Sequence, residues 1–474
     1  VSAVSAPALE EAFHGELIRP GDARYDAVRA VWNGMIDKRP AIVARCTGVQ
    51  DVIAATRYAR ANALAVAVRG GGHNVAGNAV CDGGLVIDLS AMKAVHVDPV
   101  RRTARVQGGA TWRDFDREAQ VFGLAAPGGL ISSTGVAGLT LGGGFGWLSR
   151  AYGLASDNVV SVEIIDATGR VVTASAGEHT DLFWALRGGG GNFGVVTSFE
   201  FALHPVGPIV FGGVAFHRTD RVSELLRAYR QVTATLPDAV TSALIFLTGP
   251  PAPFLPPELH GTPLVALAAL YAGDAKNGAQ ALRPLRELGP AAVDLFGEIP
   301  YTALQSMFDA TAPAGLQNYW KSLAFARPDD ATLATLASRA IAPPSPFSHV
   351  DVHHLGGAVS RLGDDATAYP LRTAEYVLNV VGTWAERDDS ARQIAWVRDV
   401  WDALRPSAFT ASYVNFLADA GRDAVEGAYG RQTYARLSQI KRTYDPDNVF
   451  STNHNVAPAD AKLETFPEPS PSLL

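Results

Sequence analysis

The sequence predicts an α+β chain in two domains, and three observations predict it. Through the first 205 residues short β-prone runs alternate with helical ones, and three glycine clusters (70–72, 142–146 and 188–194) interrupt them. Beyond about Pro205 the clusters stop, prolines gather in GPPAPFLPPELHGTP, and amphipathic helices alternate with strands up to about Ser407. Compact motifs then return as YVNF at 413–416 and RLSQIKRTYDPDNVFSTNHNVAP at 436–458. The predicted division is a first domain over 1–205, a second over 206–409, and a segment over 410–474 that rejoins the first.

Each element has a local reason. Val49, Val52, Ile53 and Tyr58 fall at helical spacing, which predicts a helix over 48–63. ALAVAVRGGGHNVAG reads as a short strand running into a glycine turn, and GLVIDLSAMKAVHVD with TARVQGGAT as two strands joined by a turn. TWRDFDREAQVFG is helical, with Thr111 as its N-cap. VVSVEIIDATGRVVTASA is a hairpin turning around 167–169, and DLFWALRGGGGNFGVVTSFEFAL is a helix, a glycine turn and a strand. The end, PEPSPSLL, reads as a loose tail.

Composition narrows the function classes. Hydrophobic residues are 47% of the 474 and charged ones 18%, which excludes a disordered chain. The net charge of −7 lacks the basic footprint of a nucleic-acid binder. Cys46 and Cys81 form no disulfide framework and no zinc motif, and both are expected reduced. The longest apolar stretch, 263–273, is short of the ~18 residues that cross a bilayer. The start, VSAVSAPALEEAF, has no signal-peptide character and no initiator Met, so the expected location is the cytoplasm, with processing upstream left open.

Glycine lets backbone N–H groups approach a phosphate or a flat ring with no Cβ in the way. One cluster alone is a turn; three in one domain point to a large ligand lying along backbone. Gly189, Gly191 and Gly194 satisfy GxGxxG, but here a helical run precedes the glycines and a strand follows, the reverse of a Rossmann fingerprint. No P-loop is present. His73 directly follows 70–72. The residues alone leave it either solvated in a turn or beside the ligand as a nucleophile.

The run AIVARCTGVQDVIAATRYARANALAVAVRGGGHNVAG, followed by GGLVIDLS, resembles the PCMH-type FAD-binding domain of the vanillyl-alcohol oxidase superfamily. RLSQIKRTYDPDNVFSTNHNVAP resembles the C-terminal signature of its berberine-bridge-enzyme-like branch, and NYWKS (318–322) and HHLGGAVSR (353–361) fit bacterial members. The resemblance spans about 37–205 and 410–458. It implies a two-domain PCMH-type FAD-binding fold, whose second domain is an antiparallel sheet backed by helices that roofs the isoalloxazine. It implies FAD bonded through His73 to the flavin 8α-methyl, a linkage that prevents dissociation and raises the flavin's potential. Arg69, Gly70, Gly71, Gly72 and Asn74 would then cradle the cofactor together with Thr134, Gly135, Gly138, Leu139, Gly142, Gly143 and Gly144. Val196 would lie along the adenosine, and Tyr413, Asn415 and Asn453 would complete the site.

The family pattern is broken at several positions. Aligned on its glycines, GLISSTGVAGLTLGGGFG (129–146) has Ile131 where many relatives carry a second flavin-linking cysteine. The cofactor is therefore expected to be attached once. Leu139 replaces a histidine near flavin N1, Phe145 replaces a frequent tyrosine, and Thr134 occupies the position that gates oxygen. Thr134 with Leu139 also resembles tailoring oxygenases. Asn379 stands where relatives place a Glu or Gln, and an amide cannot take a proton. Tyr413 is the expected base, given a stabilised phenolate, and Tyr319 and His354 are expected on the substrate wall. His349, Asp351 and His353 would share one face of a strand, but ligands from a single strand rarely close a metal site, so none is expected.

The resemblance thus implies an oxidase. It takes hydride from a C–H next to O or N of a small alcohol, phenol or sugar-type substrate, and O2 reoxidises it to H2O2. The alternatives are an oxygenase, a dehydrogenase, a non-catalytic flavin-binding protein and, as an outsider, a metal hydrolase. No nucleic-acid or membrane partner is expected.

Overall fold

The computed structural model describes residues 9–418 and 421–460, so the tail PEPSPSLL lies outside the described residues. Its first sheet is built from β1 (Glu16–Ile18), β2 (Ile42–Arg45), β3 (Val66–Arg69) and β4 (Leu85–Asp88), in the order β1-β2-β4-β3. β2, β4 and β3 run parallel, so β2 and β3 need a crossover, and helix α1 (Val49–Ala61) supplies it. Val52, Ala55 and Ala59 of α1 are buried in one core with Ile42, Leu85 and Ile87. Asp51 fixes the start of the helix by accepting the Thr47 N–H at 2.8 Å.

The second sheet is antiparallel: β5 (Val95–Asp98), β6 (Thr103–Gln107), β7 (Val159–Ile165), β8 (Val171–Ser175) and β9 (Val195–Ala202), ordered β5-β6-β9-β7-β8. GLVIDLSAMKAVHVD therefore splits between two sheets, as β4 and β5. The expected hairpin is β7–β8, with Gly169 at φ +76° in its turn. Helix α2 (Trp112–Ala119) begins at a capping box in which Thr111 and Asp114 satisfy each other's N–H groups.

α2 also buries a carboxyl. Both oxygens of Asp116 are buried without a hydrogen-bond partner, and burial raises its pKa well above the ordinary carboxylate value. The folded chain then keeps a proton that the unfolded chain releases, so stability falls as pH rises above the unfolded carboxyl's range, by about 1.4 kcal/mol per unit within that window. Asp116→Asn is expected to melt higher than the parent at pH 8, and the gap is expected to close towards pH 4. An equal gap at both pH values in calorimetry contradicts a neutral Asp116.

The third sheet has eight antiparallel strands. Its long members are β10 (Ile209–Arg218), β11 (Val240–Thr248), β12 (Pro263–Tyr271), β13 (Gln317–Phe325), β14 (His349–His354) and β15 (Tyr376–Trp384), ordered β10-β12-β11-β14-β15-β13. Helices α3 (Val222–Thr233), α4 (Asp330–Ala340) and α5 (Ser390–Leu404) cover one face: Leu225, Leu333 and Val397 share a core with Leu244, Val350 and Val380. The alternate residues of those strands face the other way, towards the glycine-rich part of the chain.

The C-terminal helix α6 (Arg431–Tyr444) returns to that part. The buried Lys441 ammonium donates to the Asn192 carbonyl at 2.7 Å and to the Phe450 carbonyl at 2.9 Å, and pairs with Asp445 at 2.7 Å. Leu437 and Val456 join the core that holds Phe193 and Phe199.

Candidate active site

Between the glycine turns and the uncovered face of the third sheet lies a cleft of about 1290 Å³. One wall is the end of β3 with its glycine turn. Gly71 and Gly135 pass there backbone to backbone, so a Cβ on Gly71 would stand 2.4 Å from the Gly135 nitrogen. His73 follows in this turn and lines the cleft. Its ring stacks on Trp32 at 5.1 Å, and its Nε2 shares a hydrogen bond of 3.1 Å with the Ser133 hydroxyl. Burial pulls its pKa down to about 4, against an opposing pull from Asp309, so the imidazole is neutral at pH 7. That is the form in which a ring nitrogen is nucleophilic.

The rest of this wall fits a long polar ligand such as FAD. Gly138 and Gly191 line the cleft, and a Cβ on either would meet no protein atom within 4 Å, so these backbones open onto ligand space. Asn453 and His454 line it as well. The Asn453 Oδ1 and both His454 ring nitrogens are buried with no protein partner, the signature of groups that wait for a ligand or water. Gly70, Gly72, Asn74, Thr134, Leu139, Val196, Tyr413 and Asn415 also line the cleft. The Thr134 hydroxyl makes no hydrogen bond among the described residues.

Four expectations need correction. Arg69 faces away from the cleft: its guanidinium is paired with the buried Asp88 at 2.6 Å, which accounts for its charge. Gly142, Gly143 and Gly144 do not line the cleft; Cβ atoms there would strike Asn415, Tyr369 and Ala155, so these glycines seat the site's supports. Tyr319 lies on the helix-covered face of β13, in the apolar core under α5, while Asn318 and Trp320 face the cleft. His354 likewise turns away, with its Nε2 3.1 Å from the Arg150 guanidinium and its pKa pushed down to about 2, first by burial and then by that cation. In both cases the neighbouring residue faces the cleft instead, because one step along a strand means the opposite face.

Tyr413 lines the cleft, but its oxygen is already engaged. It accepts hydrogen bonds from the Gly144 N–H at 3.2 Å and the Asn415 amide at 2.8 Å. Burial outweighs both and pushes its pKa up to about 12, so the phenol keeps its proton at pH 7.

Another group fits proton transfer better. His349, Asp351 and His353 all face the cleft from β14. The Asp351 Oδ2 lies 3.5 Å from the His349 Nε2 and 3.9 Å from the His353 Nε2. Burial raises Asp351, but His349 and, less, His353 together hold the carboxyl below its ordinary value. Burial lowers His349, but Asp351 wins and leaves it raised. For His353 burial prevails, and its pKa is lowered. The trio is therefore a carboxylate flanked by one histidine that favours its charge and one that stays neutral. Asn379 pairs with Asp351 across the strands, and its buried Oδ1 lacks a partner. The alternation of SHVDVHH signalled this shared face. Nothing local signalled Trp32, Ser133 or His454. Among the described residues no three His, Cys, Asp or Glu side chains converge to hold a metal ion, and no helix is long and apolar enough to cross a membrane.

Comparison with known proteins agrees with the cofactor wall. Residues 40–175 match the FAD binding domain family and residues 412–457 the berberine and berberine-like family. An FAD-linked oxidoreductase of Dictyostelium discoideum is 31% identical over 94% of this chain and 96% of its own. The (R)-6-hydroxynicotine oxidase of Paenarthrobacter nicotinovorans is 31% identical over 94% and 97%. The crystal structure of 6-hydroxy-D-nicotine oxidase from Arthrobacter nicotinovorans superposes with a TM-score of 0.83 at 28% identity, covering 96% of this chain and 100% of that one. A xylooligosaccharide oxidase from Myceliophthora thermophila superposes with a TM-score of 0.83 at 25% identity, covering 96% and 99%. With its glycine-lined cleft, its C-terminal signature and relatives that match end to end, the chain belongs to the FAD-linked oxidoreductases of the berberine-bridge-enzyme-like family.

Proposed function

We propose that the protein is an oxidase that takes hydride from a C–H bond next to the O or N of a small organic substrate. His73 would hold FAD, which would supply the hydride acceptor and an electron path to O2, giving H2O2. The observation that carries this reading is the shared cleft, with neutral His73 on one wall and neutral His353, beside Asp351, on the other.

His353 accepts the proton of the substrate's hydroxyl or amine. Asp351, 3.9 Å from the His353 Nε2, stabilises the imidazolium that then forms. The Asn379 Oδ1 accepts a hydrogen bond from the substrate and orients it. Phe145, whose ring is 5.1 Å from His353 and 4.8 Å from Tyr413, is a water-excluding partner. Tyr413 holds Asn415 and the Gly144 backbone in place.

The free Thr134 hydroxyl favours a second reading, an oxygenase that keeps activated oxygen in the site. Oxygen consumption against peroxide separates the readings during turnover of a substrate that bleaches the flavin. One H2O2 per O2 is expected. Oxygen consumed without matching peroxide, with the oxygen atom in the product, supports the oxygenase, and no oxygen consumption supports a dehydrogenase.

A further inference from the structure

The oxidase reading leaves the body of the substrate unspecified, but the cleft-facing side of the third sheet is divided in two. On β14, β15 and β13 its polar groups are His349, Asp351, His353, Asn379, Thr383 and Asn318, with Trp320 and Val381 beside them. On the next three strands it presents Ala243, Ile245 and Leu247 of β11, Ala266 of β12, and Val214 and Phe216 of β10. Among the described residues lining that half, Thr248 at the very end of β11 brings the strands' one polar side chain. The border is a single ladder, in which Ala243 pairs with His353 and Ile245 with Asp351.

Leu130, Met307 and Phe308 also line the cleft and pack against the core that holds Val214, Phe216 and Ala266. At its rim Phe254 and Leu295 line the cleft yet are 46% and 43% exposed. Phe254 stands on the proline-rich loop and stacks on Phe216 at 5.9 Å. Large apolar side chains left wet around an apolar hollow are stabilised when a ligand covers them.

The geometry points to an amphipathic substrate whose hydroxyl or amine head meets His353 and Asp351 and whose apolar body, alkyl or polycyclic, lies under β11, β12 and β10. The fate of the head rests on the oxidase reading; the placement of the body does not. Strands ~4.8 Å apart put β10 ~14 Å from β14, which sets the length of the body. A sugar chain lying on Ile245 and Phe216 would bury hydroxyls against carbon, which costs the hydrogen bonds they make to water.

Calorimetric titration of the holoenzyme with 4-alkylphenols, methyl to octyl, and with xylobiose tests this. Affinity is expected to tighten about threefold to fourfold per added methylene until the hollow is filled. Xylobiose is expected to bind more weakly than 4-octylphenol. Ile245→Asn is expected to cut the octyl-to-methyl affinity ratio about tenfold, and Phe254→Ser, on an exposed loop where folding is not at stake, about threefold. Affinity independent of chain length, or tighter binding of xylobiose, overturns the proposal. Flavin bleaching by the same compounds separates the two claims. Length-dependent binding with no bleaching by any alcohol or amine of this shape counts against the oxidase reading alone. Bleaching by substrates regardless of apolar length counts against the apolar hollow alone.

Discussion

His353→Ala is expected to slow anaerobic flavin reduction by about 10²- to 10⁴-fold, the usual contribution of a positioned general base, while the flavin stays bound. The parent enzyme should show an acid limb. Burial lowers the pKa of His353, so the imidazole is free at pH 7, and reduction slows as pH falls through that lowered value. His353→Ala should lose the limb along with the rate. Asp351→Asn should move it to lower pH, because the carboxylate raises His353 more than His349 lowers it. Tyr413→Phe is the control. A phenol held near 12 carries its proton throughout the range, so this substitution should leave the limb where it is. Stopped-flow reduction rates from pH 5 to 9 read all four. A limb that survives in His353→Ala and vanishes in Tyr413→Phe would return the role of base to the tyrosine.

His73→Ala is expected to abolish the covalent attachment of the flavin altogether. The parent should stay yellow after acid precipitation, whereas the variant should release its flavin into the supernatant. The native variant should still bind FAD, because the open backbones at Gly138 and Gly191 and the unpartnered Asn453 and His454 groups remain. Ser133→Ala has a milder expected effect. It removes the 3.1 Å hydrogen bond that orients the ring but leaves the Trp32 stack, so attachment should slow without failing.

The features legible in the sequence were those with a local cause. The N-cap at Thr111 needs only the helical run that follows it, and α1 needs only its own apolar spacing. The first and third glycine clusters marked the glycine-lined wall of the cleft because close backbone approach excludes a Cβ. What escaped depended on distant partners. Arg69 reads as part of the cofactor cradle, and only the fold shows its guanidinium paired with Asp88 on the neighbouring strand. GLVIDLSAMKAVHVD reads as one strand until its second half is seen to pair with β6 in another sheet. Tyr319 and His354 show how little a motif says about facing, since one residue in a strand separates a cleft wall from a helix-covered core. The pattern of His349, Asp351 and His353 was visible, but its chemistry depends on burial: His353 is neutral because the third sheet encloses it. Trp32 lies 41 positions before His73, and only the fold brings the two rings to 5.1 Å.

One measurement bears most directly on the account, namely intact-mass spectrometry of the denatured protein followed by peptide mapping. The predicted result is the chain plus one FAD, with the added mass on the peptide that contains His73 and none on Cys46 or Cys81. A mass equal to the chain alone, or an adduct on another residue, would contradict it.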